Sequence, residues 1–235
     1  MEMMKKKGLS QNQLKIVATI SMVIDHIGAE IFPQIIIFRI IGRLAFPIFS
    51  YFIYEGFQYT RDKKRYFLRI ISLGLICAIV YYIYSGEIYG NVLITFSLSI
   101  IVLYCIEKCK NSATIGIKEE MYRFIFAIGC IAIIWFISSW IYIDYGVIGV
   151  LLPVFAEIVG TWKGKKNHYL SLLGFSIGVI LLAIYMGNIQ YFCLFAVLLL
   201  VAYNGQRGVM NMKKIFYWFY PAHLLVIGMI SMVIY

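Results

Sequence analysis

The sequence predicts an all-α integral-membrane protein, a bundle of about nine transmembrane helices within a range of eight to ten, with its N-terminus in the cytoplasm. Three observations lead there. Of 235 residues, 62% are hydrophobic and the mean hydropathy is +0.85, which lies outside the range of soluble domains. Lys and Arg number 21 and Asp and Glu 11, and the runs 70–84 and 170–187 contain none of them, which excludes disorder and a coiled coil. The apolar runs are ~16–22 residues long and not ~10-residue alternating segments, so they are helices and not barrel strands.

Charged and Gly/Asn-rich breaks place the spans at roughly 13–32, 35–59, 66–86, 91–106, 122–142, 146–162, 168–187, 189–204 and 214–234. The first follows the positive patch Lys5 to Lys7, as a signal peptide would. It has no small-residue cleavage site and carries Asp25 and His26, so it reads as a retained span. The second is long enough to tilt or to kink at Pro47, and the fourth and eighth are near the lower length limit. No repeat, low-complexity segment or soluble domain interrupts the series, so residues 1–235 read as one polytopic domain, multi-pass in the plasma membrane.

The basic residues test this count. Lys5 to Lys7 and Lys15 precede the first span, and Arg61, Lys63, Lys64, Arg65 and Arg69 separate the second from the third. Lys108, Lys110, Lys118 and Arg123 precede the fifth span, Lys163, Lys165 and Lys166 the seventh, and Arg207, Lys213 and Lys214 the ninth. All fall on one side. The opposite loops hold Glu30, Glu87 and Asp144, which is the positive-inside pattern. The net charge of +10 therefore reports orientation and not nucleic-acid binding. The five cysteines, Cys77, Cys105, Cys109, Cys130 and Cys193, form no CxxC pair and read as buried small hydrophobes, so no metal is expected.

Ionisable residues inside spans cost at least ~2.5–3.5 kcal/mol on insertion scales and often mark a site. Asp25 and His26 are adjacent in the run MVIDHIG and point about 100° apart. Glu30, four residues on, is the better same-face partner for His26, and Asp25 is expected to meet a cation on a neighbouring helix. In FRIIGRLAFP, Arg39 and Arg43 share one face. Counted from the outer loop at Pro33, Arg43 lies roughly 12 Å and His26 roughly 9 Å into the core, so they can meet. Arg61, Arg65 and Arg69 form an i, i+4, i+8 stripe at the cytoplasmic mouth, suited to gripping phosphates or to anchoring the helix. His223 follows Pro221 in FYWFYPAHLL, where the backbone is open to kinking.

On these residues the sequence resembles the TraX family, named for a conjugal-transfer protein that acetylates pilin. The matching blocks are LKIVATISMVIDHIG, GRLAFPIFSYFIYEGFQYT with KKRYFLRI, NVLITFSLSI, DYGVIGVLLP, and YNGQRG leading to FYWFYPAHLL. More remotely, the layout is similar to the membrane acyltransferases that O-acetylate extracytoplasmic glycans. The resemblance implies that His26 is the catalytic histidine, that Arg65 and Arg69 are the basic pair on the acyl-CoA side, and that His223 is the terminal-helix histidine. The Arg-Gly pair that glycan acetylases carry in helix one is absent, Ala18-Thr19 standing there, so the resemblance implies the donor and leaves the acceptor open.

The expected function is acetyl transfer from cytoplasmic acetyl-CoA to an amine or hydroxyl on a peptide, glycan or small-molecule acceptor, by a protein embedded in the lipid bilayer. His26 acts as general base or transient acetyl carrier. Arg43 stabilises the developing oxyanion or fixes Asp25, Asn91 donates a further hydrogen bond, and Arg61, Arg65, Arg69 and Lys213 face the donor. A different class, a small proton-coupled transporter relaying protons through Asp25, His26 and Glu55, would bring inverted repeats and broken helices in matching halves. The sequence shows neither.

Overall fold

The computed structural model describes residues 8–87, 89–111, 125, 128–129, 131–136, 138, 140, 142–162, 165–208 and 213–234. Lys5 to Lys7, Lys118, Arg123, Cys130, Lys163 and much of the expected fifth span lie outside them, as do the side chains of Cys109, Lys110 and Lys213. Helix dominates. In chain order the described elements are α1 (Gln11–Glu30), α2 (Ile36–Gly42), α3 (Ala45–Tyr59), α4 (Lys63–Ser85), α5 (Val92–Asn111) and α6 (Gly146–Gly160). The strands β1 (Thr161–Trp162) and β2 (Lys165–Lys166) follow, then α7 (His168–Met186), a 3-10 helix (Asn188–Leu194), α8 (Phe195–Val201) and α9 (Lys213–Ile234). The strands pair antiparallel, Thr161 opposite Lys166, between α6 and α7. Among the described residues, Ile36–Tyr59, Lys63–Ile83 and His168–Met186 are long and apolar enough to cross a membrane, and Gly146–Gly160, Asn188–Val201 and Trp218–Ile234 are shorter apolar helices. Outward-facing Leu75, Ile79 and Ile184 are more than half exposed, as lipid-facing side chains would be.

The second expected span is broken, but not at Pro47. The break falls at Arg43-Leu44, and Pro47 sits in the first turn of α3, where the amide proline lacks has no helical acceptor. At Pro221 the chain stays helical throughout α9. The chain packs as two compact units, one of residues 1–52 with 179–235 and one of residues 53–178.

In the first unit, α1 begins at a capping box: Ser10 Oγ accepts from the Gln13 amide, and Gln13 Oε1 accepts from the Ser10 amide at 2.8 Å. The amides of Gln11 and Asn12 donate to the carbonyls of Gln206 and Arg207, so the YNGQRG segment holds the start of α1. α1 packs against α2 and against α9. Towards its C-terminal end, Ser231 Oγ donates to the Glu30 carbonyl at 3.2 Å, while His26 meets His223. α1 and α9 thus run in the same direction.

In the second unit, Asn91 joins α4 to α5. Its Nδ2 donates to the Gly74 carbonyl at 2.8 Å and its Oδ1 caps α5 through the Leu93 amide at 3.1 Å. Ser99 Oγ donates to the Val150 carbonyl of α6 at 2.7 Å, and Tyr54 and Ser171 share a hydrogen bond of 2.8 Å between α3 and α7. Cys77 and, in the first unit, Cys193 are buried free thiols.

Candidate functional site

The site grows from two consecutive residues of α1. Because neighbouring helix positions diverge by about 100°, Asp25 and His26 serve different helices. Asp25 turns towards α2, where its Oδ1 lies 3.0 Å from Arg39 Nη1 and 2.5 Å from Arg43 Nη2. Arg39 also donates to the Asp25 backbone carbonyl at 3.1 Å. The cation expected from a neighbouring helix is therefore a pair of guanidiniums four residues apart. Close approach of α1 and α2 requires glycine at two positions. A Cβ on Gly42 would overlap the Asp25 carboxylate, and one on Gly28 would lie 2.5 Å from the Phe38 Cβ.

Arg43 is held on every side it offers. Its Nε donates to the Arg39 carbonyl at 3.0 Å, Nη2 to Asp25, and Nη1 to Gln190 Oε1 at 3.2 Å. A buried guanidinium engaged in this way is an anchor, and of the two roles expected for Arg43 this geometry matches the fixing of Asp25. Gln190 had no place in the sequence reading. The available signal is a pair of amide side chains, Asn188 and Gln190, at the start of the otherwise apolar run between Gly187 and Tyr203.

His26 turns towards α9. Its Nδ1 lies 2.9 Å from His223 Nε2, and the ring centroids are 5.0 Å apart. The partner is thus His223 and not the expected same-face Glu30. His223 is buried, its ring stacked on Phe219 at 5.4 Å between centroids and 8° between planes. Its Nδ1 lies 2.9 Å from the Phe219 carbonyl oxygen.

These two contacts fix the tautomers of the neutral pair. A carbonyl oxygen only accepts, so His223 Nδ1 carries the proton. Neutral His223 then offers a bare Nε2, and the His26 Nδ1 facing it must be the donor. Neutral His26 is left with an unprotonated Nε2, and among the described residues nothing hydrogen-bonds that nitrogen. A histidine held by a hydrogen bond at Nδ1 with Nε2 bare is arranged to accept a proton or to attack a carbonyl carbon.

Of the residues expected at the donor side, Arg61, Arg65, Arg69 and Asn91 lie in the second unit and Lys213 in the first. Arg65 and Arg69 fall on exposed early turns of α4. Arg61 precedes the helix, because the Asp62 side chain caps α4 by accepting from the Arg65 amide at 2.9 Å, so the helical stripe is reduced to two residues. Arg65 Nε also pairs with Asp62 Oδ2 at 2.9 Å, an exposed contact of ~0–1 kcal/mol that a phosphate can displace. Asn91 spends both ends of its amide on helix packing, in place of the donor role expected for it. Glu55 is buried in α3, and Glu157 of α6 accepts from Gln58 Nε2 at 2.5 Å.

The TraX protein family profile matches residues 10–231, from the cap of α1 through the last turns of α9. The chain belongs to the TraX family. Two relatives place it further. It is 34% identical over 149 residues to an uncharacterized protein of Rickettsia prowazekii (strain Madrid E), covering 63% of this chain and 55% of that protein. The chain therefore matches little more than half the length of that relative. It is 26% identical over 250 residues to the probable fimbrial assembly protein FimC, serogroup H1, of Dichelobacter nodosus, covering 94% of this chain and 96% of that one. No solved structure matches. The TraX profile takes in Asp25, His26, Arg43, Gln190 and His223 together.

Proposed function

We propose that this TraX family member is a multi-pass acetyltransferase of the plasma membrane that moves acetyl from cytoplasmic acetyl-CoA to an amine or hydroxyl acceptor. The observation that carries the proposal is the fixed imidazole pair, with His26 Nε2 bare and His26 Nδ1 held by His223. His26 Nε2 takes the proton of the acceptor as the acceptor nitrogen or oxygen bonds to the acetyl carbonyl carbon. The carbon–sulfur bond breaks, and the CoA thiolate leaves with the proton returned from His26. The same bare nitrogen serves the variant in which acetyl rests transiently on the ring. Asp25, clamped by Arg39 and Arg43, holds α1 against α2 beside the reacting histidine. The name of the Dichelobacter relative favours a subunit of a surface appendage as acceptor over a glycan or a small amine.

The test is transfer itself. Purified protein in sealed vesicles with its basic loops outward, given labelled acetyl-CoA from outside and membranes as acceptor source, yields an acetylated product by mass spectrometry. Vesicles of the opposite orientation yield none. Absence of transfer and of acetyl-CoA hydrolysis in both orientations removes the acetyltransferase reading, and equal transfer in both removes the cytoplasmic donor.

Arg65 and Arg69 are the proposed phosphate contacts. Arg65→Gln or Arg69→Gln weakens CoA binding by ~1.5–3 kcal/mol for each charge-assisted hydrogen bond removed, with the fold intact. Calorimetry showing unchanged CoA affinity for both variants would leave the pair as helix anchors.

A further inference from the structure

Gln190 is 3% exposed and sits in the first turn of the 3-10 helix, its own amide donating to the Gly187 carbonyl at 3.0 Å. The turn starts from two residues in the left-handed region, Gly187 at φ 64° and Asn188 at φ 48°, and so presents the side chain to Arg43. A guanidinium has no acceptor, so the amide atom facing Arg43 Nη1 is Oε1 and the Nε2 group points elsewhere. Among the described residues, Nε2 has no hydrogen-bond partner although it is buried. The Cys193 thiol lies beside the Gln190 amide but is only a weak acceptor, and its own S–H goes to the Val179 carbonyl at 3.9 Å, so no strong acceptor meets Nε2. Folded proteins rarely leave a buried donor empty, and where they do a ligand or a bound group commonly fills it.

The surroundings define the acceptor. Arg43, which fixes Gln190, is ion-paired to Asp25, the residue next to His26 in α1. The Asp25 carboxylate is already paired to both Arg39 and Arg43, two cations to one anion, so the corner keeps a positive balance and the free amide donor suits an oxygen that carries or gains negative charge. In acetyl transfer that oxygen is the acetyl carbonyl, which becomes an oxyanion when the acceptor adds. We infer that Gln190 is a substrate-binding residue whose Nε2 donates to the carbonyl oxygen of the acyl group, strengthening as that oxygen becomes anionic. The inference rests on the acetyl-transfer reading.

The experiment uses the full chain with acetyl-CoA carrying a 13C=O label. Gln190→Met keeps the length and removes both the donor and the acceptor for Arg43, whereas Gln190→Glu keeps an acceptor for Arg43 and replaces the N–H by a carboxylate oxygen that cannot donate and that repels an oxyanion. Both lose ~10²–10³ in kcat, the loss typical of one oxyanion donor, while CoA, which lacks the carbonyl, binds as to wild type. A second measurement does not depend on turnover: the infrared stretch of the labelled carbonyl, lowered by a hydrogen bond in wild type, rises in Gln190→Glu. Should both variants transfer acetyl at the wild-type rate, or should the carbonyl stretch be the same in wild type and Gln190→Glu, the amide is a packing group and the inference falls while acetyl transfer stands. A wild-type protein that neither transfers nor hydrolyses acetyl-CoA removes the acetyl-transfer reading first and this inference with it.

Discussion

Replacing His26 with glutamine is expected to lower acetyl-transfer turnover by ~10²–10⁴-fold while the protein folds and binds CoA. Glutamine retains a polar group able to meet His223 Nε2 and fits the half-buried position, so the contact between α1 and α9 survives. It has no nitrogen that accepts a proton near neutrality. A packed membrane histidine would tolerate the change in activity as well as in stability, and that outcome would remove His26 from the chemistry. The pH–rate profile gives a second readout. A general base works in its neutral form, so the wild-type rate falls on the acid side as His26 takes up a proton. In His26→Gln that acid limb disappears from whatever rate remains.

The sequence exposed half of this arrangement. Depth along a helix is arithmetic, so counting residues from the outer loop brings Arg43 near the depth of His26 and of its neighbour Asp25, and the structure pairs Arg43 with Asp25 at 2.5 Å. Partner choice across helices distant in the chain is not arithmetic. His26 and His223 are 197 residues apart, and only the packing of α9 on α1 selects His223 over Glu30, which helix periodicity favoured. Capping chemistry explains another difference. Asp62 starts α4 after Arg61, so a stripe that looked helical over three residues is helical over two. The break at Arg43-Leu44 was hidden for a related reason: Pro47 drew attention as the helix disruptor, yet a first-turn proline is compatible with a helix. Gln190 is not legible in the sequence because an amide two residues after Asn188 matches no helical or site spacing in an otherwise apolar span. Its meaning depends on Arg43, 147 positions away in the chain.

The second large effect is expected at His223, and three substitutions distinguish how it acts. If His223 serves by accepting from His26 Nδ1–H, its loss frees His26 to carry the proton on Nε2, and the reacting nitrogen is no longer bare. A comparable tautomer error in a serine-protease triad costs ~10⁴-fold in turnover. His223→Phe keeps an aromatic ring against Phe219 and removes both ring nitrogens, so it is expected to lose ~10²–10⁴ in kcat with CoA affinity unchanged. His223→Gln offers an amide oxygen for His26 and an amide N–H for the Phe219 carbonyl, the same acceptor and donor that the neutral imidazole supplies. It is expected to recover much of the activity lost in His223→Phe, and to keep the acid limb of the pH profile, because the titrating base is still His26. His223→Lys, which cannot accept when charged, is expected to behave like His223→Phe or worse. Equal, deep losses in the Gln and Phe variants would mean that His223 itself exchanges protons. A loss in His223→Gln exceeding that in His26→Gln would move the base to α9 and make His26 the residue that orients it.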